Sequence, residues 1–148
     1  MKTLIVILII ISFIQSTSLP LNLVLIILIA RALVRPDRFN LILAFGFGLF
    51  ISHLSLQPLG FKSLIYLILI QLTQILSKSR LSASQFLIMP ATAILSSIDL
   101  ISTSFLNHQS PQLLPEVLFE SLVSLPIFFL VRVWEERFIV RKEIKLRL

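Results

Sequence analysis

Long apolar runs separated by short polar breaks dominate the sequence. The runs predict six helices, at about residues 3–18, 19–35, 39–56, 61–77, 82–105 and 116–134. A helix needs roughly 20 apolar residues to cross the hydrocarbon core of a bilayer, with about 17 as a working minimum. The runs are apolar on all sides, whereas strands of a membrane β-barrel alternate apolar and polar residues. The pattern therefore predicts an all-α bundle of six transmembrane helices.

Composition supports a lipid environment. Of the 148 residues, 57% are hydrophobic and 14% are charged, and the mean hydropathy is +1.01. A soluble domain has about a quarter charged residues and cannot bury this much apolar surface. We expect one transmembrane domain, residues 1–134, followed by a short basic tail, residues 135–148.

The breaks between the runs alternate in charge. Three breaks, at 15–18, 57–60 and 107–115, hold no Lys or Arg. The N-terminus, the other two breaks and the tail hold twelve of the thirteen Lys and Arg residues, and Lys62 is the exception. Because cationic loops stay in the cytoplasm during insertion, both ends are predicted to be cytoplasmic. The net charge of +6 is then a mark of topology, with the lipid bilayer as partner rather than nucleic acid.

The N-terminal run has a second interpretation. Lys2, the apolar run and the segment Ser16-Thr17-Ser18 are also typical of a secretory signal peptide. Cleavage after that segment would leave five helices in the same orientation, so charge does not discriminate. The family resemblance described below favours a retained first helix.

Small residues interrupt the third run. Ala44 and Gly48 are four apart and share a helix face, which is typical of a close contact between membrane helices. The alternative is that glycine is simply frequent in such helices. Gly46 and Gly48 are not part of a dinucleotide-binding fingerprint, because the third glycine and a preceding strand are missing.

Three acidic residues are candidates for a polar site. Asp99 lies among serines and threonines of helix five. Its position predicts a polar cavity or an interhelical hydrogen bond, and the alternative is a place near the outer headgroups. Glu116 and Glu120 share a face at the start of helix six. They are explained by the helix dipole or by a ligand or partner contact at the outer mouth.

The sequence offers no constellation that favours catalysis. Cysteine is absent, and His53 and His108 stand in no metal-ligand spacing. We therefore expect a protein that is not an enzyme and that has no cofactor and no bound metal.

Three motifs mark the second to fourth helices. They are Pro20-Leu21-Asn22-Leu23, Gly46-Phe47-Gly48-Leu49 and Pro58-Leu59-Gly60. With Pro126 and the basic tail, they make the chain similar to the MreD family of bacterial rod shape-determining proteins, with the motifs between Leu19 and Ile75. The chain departs from the family at Asn22 and Ser52, which stand where an acidic residue is usual.

The resemblance implies a non-enzymatic scaffold in the bacterial inner membrane that supports cell shape and lateral peptidoglycan synthesis. Its implied partners are a bitopic MreC-like protein, an MreB-like filament and the elongation synthases. The implied fold is similar to the substrate-binding subunits of energy-coupling-factor transporters. Residues implied in helix packing or partner contact are Pro20, Asn22, Ala44, Gly46, Gly48, Ser52, Pro58 and Gly60. The alternative function is a vitamin-type transporter subunit with Asp99, Glu116 and Glu120 lining an outward site.

Overall fold

The computed structural model describes residues 2–18, 21–78, 85–110 and 113–138. Every regular element within these ranges is helical, which confirms the all-α prediction. The helices are α1 (Lys2–Ser18), α2 (Leu23–Val34), α3 (Arg38–Leu54), α4 (Phe61–Lys78), α5 (Ile88–Asn107) and α6 (Leu113–Phe138), and a 3₁₀ turn, Gln85–Leu87, leads into α5.

The six helices lie at the six apolar runs, but their lengths differ from the predicted ones. α2 begins at Leu23, four residues later than expected, and has 12 residues. α6 is longer than predicted and continues through Phe138. The last ten residues of the predicted basic tail, 139–148, lie outside the described residues.

Two helices are long and apolar enough to cross a membrane, over Ile88–Asn107 and Leu114–Arg137. α1, α2 and α3 are apolar but shorter. Large apolar side chains also face outward on α1, α4, α5 and α6, and examples are Ile10, Leu64, Ile94, Phe119 and Leu130. Apolar surface on this scale is typical of a protein that meets lipid or other proteins.

α2 is the central helix of the bundle. All residues from Val24 to Ala32 are buried, and α2 packs against each of the other five helices. A helix that is apolar all around is stable in such a position because every face is covered. At a rise of about 1.5 Å per residue, its 12 residues span about 18 Å. Both of its ends therefore lie inside the bundle, where polar groups need partners.

α3 and α4 approach each other closely at Gly48. A Cβ atom at Gly48 would lie 2.5 Å from the Cα of Ser63. Ala44 is buried on the same face, whereas Gly46 faces open space. The chain turns between the two helices through Gly60, whose φ of +94° is a conformation that favours glycine.

Candidate functional site

Two clusters of buried polar side chains lie at the two ends of α2. The Asn22 cluster, at its N-terminal end, consists of Gln15, Asn22, Lys62, Tyr66, Asp99 and Glu120. The Arg31 cluster, at its C-terminal end, consists of Arg31, Arg35, Asn40 and Glu135.

The side-chain amide of Asn22 joins three helices. Its Nδ2 donates to Oδ2 of Asp99 at 2.7 Å. Its Oδ1 accepts from the hydroxyl of Tyr66 at 2.6 Å and from Nε2 of Gln15 at 2.9 Å. Because these partners lie on α5, α4 and α1, a single amide fixes the start of α2 against each of them.

The backbone at the start of α2 is satisfied by side chains from other helices. The first N–H groups of a helix have no acceptor within the helix. The N–H of Asn22 donates to Oε1 of Glu120 at 2.8 Å, and the N–H of Val24 donates to Oε1 of Gln15 at 3.1 Å. The carboxylate of Glu120 also lies at the positive end of the α2 dipole, which is a favourable position for an anion.

An ion pair between α4 and α5 completes the Asn22 cluster. Nζ of Lys62 lies 3.1 Å from Oδ2 and 3.3 Å from Oδ1 of Asp99. Asp99 is only 3% exposed, and its carboxylate makes the predicted hydrogen bond between helices. The pairing also explains why Lys62 stands apart from the other cations in the charge pattern.

A cavity of about 210 Å³ opens beside this cluster. Asn22, Lys62, Asp99 and Glu120 line it together with Gln57. The structure thus brings together two of the three predicted acidic candidates. Glu116 is not among the lining residues and lies one turn away, in the first turn of α6.

Several buried polar atoms around this end of the bundle have no hydrogen-bond partner within the described residues. Two of them are acceptors that belong to cavity-lining residues, Oε2 of Glu120 and Oε1 of Gln57. The others are hydroxyl groups of Ser52, Ser63, Thr92 and Ser96. None of these atoms belongs to the Arg31 cluster.

The Arg31 cluster joins α2, α3 and α6. Nε of Arg31 donates to Oε1 of Glu135 at 3.1 Å, and its guanidinium also donates to Oδ1 of Asn40. The same guanidinium lies over the ring of Phe39, 5.6 Å from its centroid, in a cation–π contact. The guanidinium of Arg31 therefore contacts a carboxylate, a side-chain amide and an aromatic ring at the same time.

Asn40 and Arg35 close this cluster. Nδ2 of Asn40 donates to the backbone carbonyl of Arg35 at 2.7 Å, next to the C-terminus of α2. The guanidinium of Arg35 lies 3.8 Å from Oε2 of Glu135, with a side chain that is 39% exposed. Each carboxylate oxygen of Glu135 therefore faces an arginine.

Arg31 corrects the sequence interpretation. The charge pattern counts Arg31 among the cations of the break after the second helix, but Arg31 lies in the last turn of α2 with no exposed surface. The burial is possible because Glu135 supplies the opposite charge. Sequence reasoning missed Glu135, Gln15 and Tyr66. A usable signal was the adjacent acidic pair Glu135-Glu136 within a C-terminal region that is rich in Lys and Arg.

The family-motif residues fall into separate places. Asn22 is at the centre of its cluster, Ala44 and Gly48 lie at the α3–α4 contact, and Ser52 is buried with an unpartnered hydroxyl. Other positions serve no contact of this kind: Gly46 faces open space, and Pro58 and Gly60 lie in the turn before α4. Pro20 lies outside the described residues.

Comparison of the chain with protein-family models, with curated proteins and with solved structures finds no match. Its function is therefore argued from the two clusters, the cavity and the outer surface.

Proposed function

We propose that this chain is a non-enzymatic membrane scaffold of the MreD type, a bundle of six transmembrane helices with both ends in the cytoplasm. The observation that carries the proposal is the division of polar and apolar side chains. Ionised side chains within the bundle are used to join helices around α2, and the outward faces are apolar. Such a surface recognises lipid and other membrane helices.

The charge pattern supports this orientation. With cationic breaks in the cytoplasm, the Arg31 cluster lies at the cytoplasmic end and the Asn22 cluster at the opposite end. α2 spans about 18 Å and is shorter than a hydrocarbon core of about 30 Å, so in this orientation we expect both clusters to lie below the headgroups. Charges at such depth require partners, and the two ion pairs supply them.

A groove between α1 and α6 is the surface that we assign to the partner. It has a volume of about 360 Å³, and all of its lining residues are apolar or aromatic, among them Leu4, Ile27, Leu130 and Trp134. Apolar side chains of a single partner helix can pack into such a groove, and a bitopic MreC-like protein has one such helix. In the proposed role, that contact links this chain to the elongation synthases and an MreB-like filament at the bacterial inner membrane.

Site-specific crosslinking tests the proposal. The chain has no cysteine, so Leu130→Cys introduces a unique thiol at the groove. Ile94→Cys is the matched control, because Ile94 is equally apolar and exposed but lies on α5. We expect the Leu130 variant alone to crosslink to a bitopic membrane protein in native membranes. Equal crosslinking from both positions, or no bitopic protein among the products, would contradict the proposal.

The cavity at the Asn22 cluster favours a second candidate function, a substrate-binding subunit of a small-molecule transporter. Its volume of about 210 Å³ is smaller than the roughly 300–1,000 Å³ of typical ligand pockets, but its convergent polar groups are a feature of such sites. A thermal-shift screen of the purified protein against vitamins distinguishes the candidates. A saturable vitamin ligand with micromolar or better affinity would favour transport over the scaffold.

A further inference from the structure

The charges that line the cavity do not balance. Lys62 and Asp99 form an ion pair and neutralise each other. Glu120 is a second carboxylate on the same cavity, and Lys62 is the only cation among the described residues that line it. When Glu120 is ionised, its negative charge has no counter-charge in a buried place, where an unpaired ion is costly.

The hydrogen bonds of Glu120 are also incomplete. Oε1 accepts the N–H of Asn22 at 2.8 Å. Oε2 makes no hydrogen bond within the described part of the chain, although the residue is only 2% exposed, and the hydroxyl of Ser96 lies near the carboxyl group without completing one. Gln57 offers another unpartnered acceptor, Oε1, on the same cavity. Both unpartnered atoms that belong to cavity-lining residues are therefore acceptors, and a ligand that matches them must supply donors.

The volume of the cavity and its apolar walls limit the kind of ligand that it can hold. A water molecule needs only about 10–15 Å³ of such space, and the cavity has about 210 Å³. Water would supply a donor but no charge. The walls include Leu21, Ile51, Leu54 and Leu100, which suit a short carbon chain.

We propose that this cavity binds a small primary ammonium ion, with Oε2 of Glu120 as its acceptor and counter-charge and the leucine and isoleucine walls around its carbon chain. An ammonium group carries one positive charge and three hydrogen-bond donors. It can therefore supply both the counter-charge for Glu120 and the missing donors. A free amine and the aminoethyl headgroup of a phospholipid share this chemistry. The inference does not depend on whether the chain is a scaffold or a transporter subunit.

The test uses the full chain in nanodiscs of phosphatidylcholine and phosphatidylglycerol, with ethanolamine as the probe in calorimetric titrations. A second arm measures, by native mass spectrometry, whether phosphatidylethanolamine remains bound after purification from membranes that contain it. Saturable ethanolamine binding identifies a free amine as sufficient, and retained phosphatidylethanolamine alone identifies the lipid headgroup. Binding in neither arm overturns the proposal.

Variants locate the site. Glu120→Gln keeps an acceptor for the N–H of Asn22 but removes the charge, and we expect at least a tenfold loss of binding. Glu116→Gln is the matched control, one turn away on α6 and not on the cavity, and its affinity should be unchanged. Equal affinity of the Glu120 variant and the unaltered protein would overturn the assignment.

Two further measurements distinguish a loss of binding from a folding defect and test whether the carboxyl group of Glu120 is protonated. Leu100→Phe fills the cavity and leaves Glu120 in place, so it should also weaken binding tenfold while the melting temperature stays within the range of the control. Infrared spectra report the carboxyl group of Glu120. A protonated acid that persists at saturating ethanolamine would show that a proton, and not an ammonium ion, balances the charge.

Discussion

The two ends of α2 solve the same physical problem in different ways. Each end lies inside the bundle, and each meets a buried ion pair and an asparagine from a neighbouring segment. At the Arg31 cluster, the guanidinium contacts the carboxylate of Glu135, the amide of Asn40 and the ring of Phe39. Among the described residues, no buried side-chain nitrogen or oxygen of this cluster lacks a hydrogen-bond partner. At the Asn22 cluster, a second carboxylate is left over beside a cavity.

This difference gives the two clusters different roles: the Arg31 cluster stabilises the fold, and the Asn22 cluster is the candidate ligand site. A charge cluster whose partners are all supplied by the protein stabilises one arrangement of helices and offers nothing to a ligand. A cluster with one charge and one acceptor unmatched lowers the stability of the empty protein and makes a matching ligand bind more favourably. The largest losses of stability are therefore expected at the Arg31 end, and the effects of ligands at the Asn22 end.

Arg31→Met should give the largest loss of stability. It leaves Glu135 buried with only the more distant, partly exposed Arg35 as counter-charge, and removing one partner of a buried pair costs about 3–5 kcal/mol. Reversible unfolding in mixed micelles measures the change. In the double variant Arg31→Met, Glu135→Leu, most of the loss should be recovered, because no buried charge remains. Equal losses in the single and double variants would contradict the ion-pair explanation.

Gly48→Leu should give the second-largest loss of stability. Moving α3 and α4 apart would disturb both clusters, because α3 supplies Asn40 and α4 supplies Lys62. The new side chain would meet the backbone of Ser63, which cannot move aside cheaply, and overpacking costs about 3 kcal/mol. Gly46→Leu is the matched control, since Gly46 faces open space. Similar unfolding free energies for the two variants would show that the α3–α4 contact is not tight.

Lys62→Met should destabilise the protein less than Arg31→Met. Asp99 keeps the hydrogen bond from Asn22 and borders a cavity that water can enter, so the loss should be about 2 kcal/mol. Lys78→Met, at the exposed end of the same helix, serves as the control in the same unfolding assay. A loss equal to that of Arg31→Met would contradict the distinction between the Arg31 cluster and the Asn22 cluster, which borders a cavity.

Asn22→Asp tests one of the two positions at which the sequence differs from the pattern of the MreD-type proteins that it resembles. The change replaces the donor that faces Asp99 with a second carboxylate, and we expect a loss of about 1–2 kcal/mol. Exchanging the two side chains, in Asn22→Asp with Asp99→Asn, restores one donor and one acceptor and should recover much of it. A double-mutant cycle measures the coupling, and additive losses would show that the two side chains do not interact.

Arg132→Ala should have the smallest effect. Arg132 pairs with Glu136 at 2.9 Å on α6, but both side chains are about half exposed. Such surface pairs four residues apart contribute about 0.3–0.5 kcal/mol or less. This variant sets the baseline for charge changes outside the two clusters. A loss as large as that of Lys62→Met would indicate a contact of Arg132 beyond this pair.

Much of the helical layout could be predicted because it depends on local sequence. Apolar runs of a given length fix where helices lie, and the spacing of Ala44 and Gly48 fixes that they share a face. Boundaries were less accurate where polar partners decide them. α2 begins late because the N–H groups of Asn22 and Val24 bind Glu120 and Gln15, and those side chains are distant or lie on another helix.

The sequence by itself determined the all-helical class, the positions of the six helices and the charged residues that any fold must accommodate. Only the tertiary structure decided which charges meet, because Arg31 and Glu135 are 104 residues apart and Asn22 and Asp99 are 77 apart. Pairing at such separations depends on how helices pack and not on local pattern. The same packing decided that one end of α2 is closed and that the other borders a cavity with one carboxylate unmatched.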